Sequence, residues 1–197
     1  SEANNYFSSP VGVPEKYDKE YLKIHSILVG HSWDEFVESI KHENRFHTQL
    51  INTDKLETNS SYLRKDYEKG IVMYRGRLCY GDNQYKPKEM GAPPIEFAKE
   101  GRANSTGISR LYLADSDKTC VHEIRSGAFD SICIGKFCLM KDISVIDFKQ
   151  INNFSPFNGD FDFLEYLINK PILHKIDGEM GRALRAGDNH LDYIPTQ

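Results

Sequence analysis

The sequence predicts an α+β protein, and three observations carry that expectation. Apolar residues in the front third recur at helical spacing, the pattern turns to strand formers at Gly70, and beyond it strands and helices mix without the regular alternation of a doubly wound sheet. Residues 1–65 read as a small helical subdomain and residues 66–197 as the α+β domain that follows it.

Taken in order, residues 1–14 (SEANNYFSSPVGVP) are small, polar and punctuated by proline, which predicts an irregular start. From Tyr17 to about Ile51 the pattern is helical, with Tyr21, Ile24, Ile27 and Leu28 on one spacing. Ser32 caps a second helix carrying Trp33, Phe36, Val37 and Ile40, and Glu35 completes a Ser-x-x-Glu capping box. Residues 52–61 are polar and read as a linker. Residues 71–80 are rich in strand formers, with Arg75 and Arg77 alternating onto one face. Residues 81–109, studded with Gly81, Pro87, Gly91, Pro93, Pro94, Gly101 and Gly107, are mostly loop. Residues 111–114 predict a short strand, and Asp115 or Ser116 caps a helix over 117–125. Strands follow at 131–140 and 143–148. A helix over 161–169 is stopped by Pro171, and a short one lies near 178–186.

Composition narrows the class. The 39% apolar and 27% charged residues suit a water-soluble globular protein. No apolar run approaches the ~18 residues of a membrane helix, and no basic region joins an apolar one near the start, so a cytoplasmic protein is expected. The net charge of −4 gives no general pull toward nucleic acid. Cys79, Cys120, Cys133 and Cys138 form no Cys-x-x-Cys pair and are expected as buried, reduced thiols. The seven histidines share no ligand spacing with them, so no metal is expected.

The chemistry concentrates between Tyr74 and Arg125. Five of the nine arginines fall there: Arg75, Arg77, Arg102, Arg110 and Arg125. A guanidinium offers phosphate two parallel hydrogen bonds and stays charged at any working pH. Gly101-Arg102-Ala103-Asn104 places an arginine and an asparagine beside glycine, which lets the backbone approach a ligand. Arg75 on a strand, Arg102 and Asn104 on a loop, Tyr112 on a strand and Glu123 on a helix can clamp a diphosphate, stack on a flat ring and set a carboxylate beside a sugar. Cleavage of a nicotinamide–ribose bond needs that set. The pyridinium leaves without a strong general acid, and a carboxylate stabilises the oxocarbenium ion left behind. Singly, each residue has an ordinary role: Arg75 and Arg77 as a solvated strand face, Tyr112 as a sheet residue, Glu123 as a partner of Arg125 or Lys118. The joint order carries the reading. His122 is a helix-surface neighbour.

In that order, Tyr74-Arg75-Gly76-Arg77, Met90-Gly91-Ala92-Pro93-Pro94, Gly101-Arg102-Ala103-Asn104-x-x-Gly107, Leu111-Tyr112-Leu113-Ala114 and Thr119-x-x-x-Glu123-x-Arg125 resemble the RES domain, a family named for an arginine, a glutamate and a serine. The resemblance covers roughly residues 71–197. It implies an ADP-ribosyltransferase-like fold with a mixed, mostly antiparallel β core, and an enzyme for which NAD+ is substrate and no cofactor is required. Arg75 and Arg102 are implied as the first and second arginines. With Tyr74, Asn104 and Tyr112 they are the implied NAD+ contacts, Tyr112 packing on the nicotinamide or its ribose. Glu123 is the implied catalytic carboxylate, and Arg75 and Tyr112 are implied in catalysis beside it. The closing Tyr193-Ile194-Pro195-Thr196-Gln197 is similar to a segment that precedes the serine in longer members. No serine lies beyond Ser155 here, so that role is unassigned.

The resemblance further implies a toxin-like or defence effector held in check by an antitoxin or other regulatory protein, and a homodimer. Short toxins of the family pair with an Xre-type, DNA-binding antitoxin. Water, phosphate or a macromolecule can each accept the ribosyl cation, which leaves NAD+ glycohydrolase, phosphorylase and ADP-ribosyltransferase open. A non-catalytic module that binds a nucleotide or a partner is the alternative from another class. His42, Arg45 and His47 raise a metal-free RNase, but Arg45 and His47 stand too close for such a pair. Packing, dimerisation or partner docking is the expected role of the front helices.

Overall fold

A computed structural model describes residues 18–79, 84–124, 127, 129–153, 162–182 and 190–197. They form the expected mixture of helix and strand: α1 (Lys19–His25), α2 (Trp33–His42), α3 (Thr53–Ser61), β1 (Arg64–Tyr67), β2 (Val72–Cys79), α4 (Asp117–Ile124), β3 (Ser131–Cys138), β4 (Ile143–Ile146) and α5 (Phe163–Gly181). Short 3-10 turns lie at Pro87–Met90, Ile95–Phe97, Phe148–Asn152 and His190–Thr196. The irregular start at 1–14, Tyr17, Tyr80, Gly81, Arg125, Ser155, Phe161 and residues 183–186 lie outside the described residues.

The chain divides into two compact units. One holds the described residues up to Lys65 together with those from Ile146 onward, and the other is Asp66–Val145. Residues 146–197 thus group with the front helices, where the sequence reading had run one domain from 66 to 197. The cause is apolar: Ile151, Ile172, Leu173 and Ile194 share one buried cluster with Ile27, Leu28, Phe36, Ile40 and Leu63. Burying one such side chain is worth about 1.5–3 kcal/mol.

Within that first unit, Ser32 and Glu35 form the expected capping box on α2. Three other expectations need correction. The helical spacing drawn through Ile27 and Leu28 ends sooner, because α1 stops at His25 and both residues are buried in the turn beyond it. The polar stretch 52–61 is not a linker but α3, capped by Asn52 Oδ1 accepting from Lys55 N at 3.0 Å. Asn59 is fully buried within α3, so polar composition hid an inward face. Pro171 does not stop the last helix, since α5 runs from Phe163 to Gly181. Proline there removes one i→i−4 bond, and burial of Ile168, Ile172 and Leu173 on either side of it holds the helix together.

A polar network ties these helices. Buried Asn169 of α5 brackets the end of α1, its Oδ1 accepting from Ile27 N and its Nδ2 donating to His25 O, each at 2.8 Å. One oxygen of Glu165 meets both Lys55 Nζ at 2.6 Å and His25 Nδ1. Tyr21 stacks on the His25 ring, with centroids 4.0 Å apart. Burial alone would raise the Glu165 carboxyl, but the hydrogen bonds from Lys55 and His25 outweigh it and hold the group below its ordinary value.

In the second unit β2 pairs antiparallel with β3, from Val72 opposite Cys138 to Cys79 opposite Ser131. β1 and β4 pair as a separate two-stranded sheet. Opposed residues share a face and neighbours along a strand alternate. Tyr74, Gly76, Leu78, Ile132, Ile134 and Lys136 therefore occupy one face, and α4 packs on it. A Cβ on Gly76 would collide with Ile124 Cδ1 and stand 3.3 Å from Cys120 Cβ. Met73, Arg75, Arg77, Gly135 and Phe137 occupy the other, where Met90 packs within 3.2–3.4 Å of the Cβ position of Gly135. The expected strand at 111–114 forms no ladder and meets β2 through one bridge, Tyr74 to Ala114. Nor are all four cysteines buried thiols. Cys79 and Cys133 are joined as a disulfide, because the register sets them on one face, one diagonal apart, with Cα atoms 6.2 Å apart. Cys120 is buried and Cys138 exposed.

Two outcomes follow from these contacts. A carboxyl lowered like Glu165 contributes in full above its unfolded value of 4.5 and loses that contribution as pH falls through the lower folded one. Glu165→Gln is therefore expected to lower stability in urea by about 2–4 kcal/mol at neutral pH, with the difference from wild type closing in acid. A difference that stays constant into acid contradicts the pairing. Gly76→Ala is expected to destabilise the 66–145 unit by about 1–3 kcal/mol, read as an earlier thermal transition.

Candidate functional site

The sequence places Tyr74, Arg75, Arg102, Asn104, Tyr112 and Glu123 in one chemistry, and all six belong to the 66–145 unit. β2 supplies the first two. Strand alternation sends Tyr74 to the α4 face, where Lys136 Nζ stands 6.0 Å from its ring centroid. Arg75 extends from the opposite face and donates from Nη1 to Gly91 O at 2.7 Å. Burial, then the charge of Arg77 beside it, lowers the Arg75 pKa, yet a guanidinium remains charged throughout the working range.

Arg77 does more than line a solvated strand face. Its guanidinium lies over the Tyr85 ring, 4.2 Å from the centroid, and donates to Glu89 O. Arg75 and Arg77 together fasten the 85–91 segment to β2 by hydrogen bonds to two backbone carbonyls. The one available signal was their two-residue spacing on a strand, which puts both on one face.

The Gly-Arg-Ala-Asn motif forms a tight turn closed by hydrogen bonds between Gly101 and Asn104, 2.9 and 3.3 Å. Asn104 is buried at its centre, only 5% exposed. Its Nδ2 donates to the carbonyls of Lys99, Ser105 and Ile108, at 2.9, 3.1 and 3.0 Å. Its Oδ1 accepts from the Tyr112 hydroxyl, which in turn accepts from Ala103 N at 3.1 Å. Gly107, at φ 82°, turns the chain so that its N–H reaches Ala98 O at 2.9 Å. Arg102 is half-buried in the turn. Tyr112 keeps 47% of its surface open, and Ile95 and Phe97 nearby in sequence are 70% exposed. Two residues past Tyr112, Ala114 exchanges backbone bonds of 2.7 and 2.8 Å with Tyr74, which joins this loop to β2.

Glu123 sits on α4. Ser116 caps that helix, its Oγ accepting from Thr119 N at 3.1 Å. The helix packs through Cys120 and Ile124, and Glu123 faces solvent. Burial, and after it the Glu123 carboxylate, raises the Cys120 thiol, which keeps it protonated and unreactive. Tyr112 and Asn104 are thus brought together, and their loop is bridged to β2 beside Arg75. Arg75 and α4 lie on opposite faces of the β2–β3 ribbon. Among the described residues no hydrogen bond or ion pair joins Arg75, Tyr112 and Glu123 to one another. Among them also, no cluster of three His, Cys, Asp or Glu could hold a metal, and no helix is long and apolar enough to cross a membrane.

Compared with family models, with curated proteins and with solved structures, the chain has no match.

Gly101 offers a direct check of the loop. A Cβ there would stand 2.6 Å from Tyr112 Oη and 2.9 Å from Asn104 Oδ1. Gly101→Ala is expected to break that contact, destabilise the unit by about 1–3 kcal/mol and open residues 99–108 to limited proteolysis.

Proposed function

We propose that the chain consumes NAD+, cleaving its nicotinamide–ribose bond as an NAD+ glycohydrolase or phosphorylase in a toxin-like or defence role. The observation that best supports this is the half-exposed Tyr112 ring, anchored at its hydroxyl beside a Gly-Arg-Ala-Asn turn and two residues from a bridge to the Arg75 strand. An open aromatic face suits a planar pyridinium, and arginines suit the diphosphate. In this reading the C1′–N bond breaks with its electron pair leaving on nicotinamide, which departs neutral. The solvent-facing Glu123 carboxylate stabilises the oxocarbenium ion until water or phosphate adds to C1′ and loses a proton. An enzyme that drains NAD+ calls for a restraint, hence a regulatory or antitoxin-like partner, and a homodimer belongs to the same reading.

One observation favours a second reading. Arg75 and α4 on opposite ribbon faces suit a module that binds a nucleotide or a partner without turning it over.

NAD+ loss by the purified chain, with and without phosphate, separates these readings. Glu123→Ala is expected to slow it by at least about 100-fold without lowering the melting temperature, and Arg75→Ala to slow it as much while also lowering the melting temperature, because the bond to Gly91 O is lost. Phosphate dependence selects phosphorolysis, and adenylate label on a macromolecule selects ADP-ribosyl transfer. NAD+ binding without turnover supports the module.

A further inference from the structure

We propose that Asn104 is a positioning residue. It joins the 99–108 loop and the Tyr112 hydroxyl into one hydrogen-bonded unit, so that Tyr112 offers a ligand the face of its ring and not its hydroxyl. A side-chain amide has two N–H donors and one carbonyl acceptor. In Asn104 the donors are shared among the carbonyls of Lys99, Ser105 and Ile108, and the acceptor is taken by Tyr112. The phenol has one proton, given to Asn104, and it also accepts from Ala103 N. Neither side chain has a donor left for a ligand. With Asn104 only 5% exposed, a bound molecule could reach it only by breaking the loop open.

Gly101 fits this role. Its missing Cβ leaves room for Tyr112 Oη and Asn104 Oδ1, so the glycine serves the internal strut where the sequence reading had it serving a ligand's approach. The strut therefore presets the Tyr112 ring and the neighbouring turn that carries Arg102 before any ligand arrives. Orientation of this kind is worth much in rate, since misplacing a reacting group by ~1 Å can cost ~100-fold.

The effect on turnover rests on the NAD+ reading above, whereas the effect on the loop does not, and the test reads both. Hydrogen exchange of residues 99–108, melting temperature, kcat and KM are compared in the wild type, Tyr112→Phe, Asn104→Asp and the double variant. Tyr112→Phe keeps the ring and loses the strut. Asn104→Asp keeps the acceptor and loses the donors. Each is expected to speed exchange in the loop about ten-fold and lower kcat about ten-fold with KM little changed. The double variant is expected to be no worse than the worse single one. Unchanged exchange in Tyr112→Phe overturns the proposal. So do additive losses of turnover, or a raised KM for Asn104→Asp with exchange unchanged, because each marks a direct contact. A wild type without NAD+ turnover removes the NAD+ reading alone, and exchange then decides whether Asn104 holds the loop.

Discussion

The register of β2 on β3 is the constraint on which the 66–145 unit depends. Strand side chains alternate with a period of two, so a slip of one residue exchanges the faces completely. Gly76 would turn away from α4 and an arginine would take its place, where even a Cβ collides with Ile124. Arg75 and Arg77 would lose the carbonyls of Gly91 and Glu89, and if β3 slipped instead, Met90 would meet a side chain where Gly135 now leaves room. One pairing thus sets the helix that carries Glu123, the segment fastened by the two arginines and, through Tyr74 and Ala114, the loop that carries Tyr112. Two glycines on opposite faces make the ribbon thin enough to be covered on both sides.

Much of the element order was legible because its signals are local. The Ser32–Glu35 capping box, the β-formers of β2 and the Ser116 cap each declare themselves within a few residues. What was hidden depends on partners far along the chain. α3 is polar in composition and becomes a helix that buries Asn59 and sends Lys55 to Glu165 on α5. Pro171 is a stop signal in isolation, overridden here by the apolar contacts of Ile172 and Leu173. The Cys79–Cys133 pair follows from strand register, which spacing in sequence does not reveal.

The candidate site shows the same division. Its residue types and their order could be read directly, because arginine, tyrosine and glutamate carry distinctive chemistry. Their hydrogen-bond partners could not, because those partners are mostly backbone carbonyls: Gly91 for Arg75, Glu89 for Arg77, and Lys99, Ser105 and Ile108 for Asn104. Every residue has a carbonyl, so an acceptor of this kind leaves no mark in a sequence. A residue type that suits a ligand suits a loop equally well, and burial is what tells the two apart.

The split first unit has a consequence for biosynthesis. Ile27, Leu28, Phe36 and Ile40 belong to one buried cluster with Ile172 and Leu173, yet residues 66–145 are translated between them. At about 5–20 residues per second, roughly 7–27 s separate synthesis of the first helices from emergence of α5. Through that interval the front of the nascent chain displays an apolar face with its covering helix not yet made. The 66–145 unit has its whole sequence in hand earlier and can fold first, drawing the β1 and β4 ends together and shortening the loop that the outer unit must close. The 66–145 segment is therefore complete on the ribosome before the unit whose two parts flank it in sequence, and a holdase that shields the early helices would act in the window between.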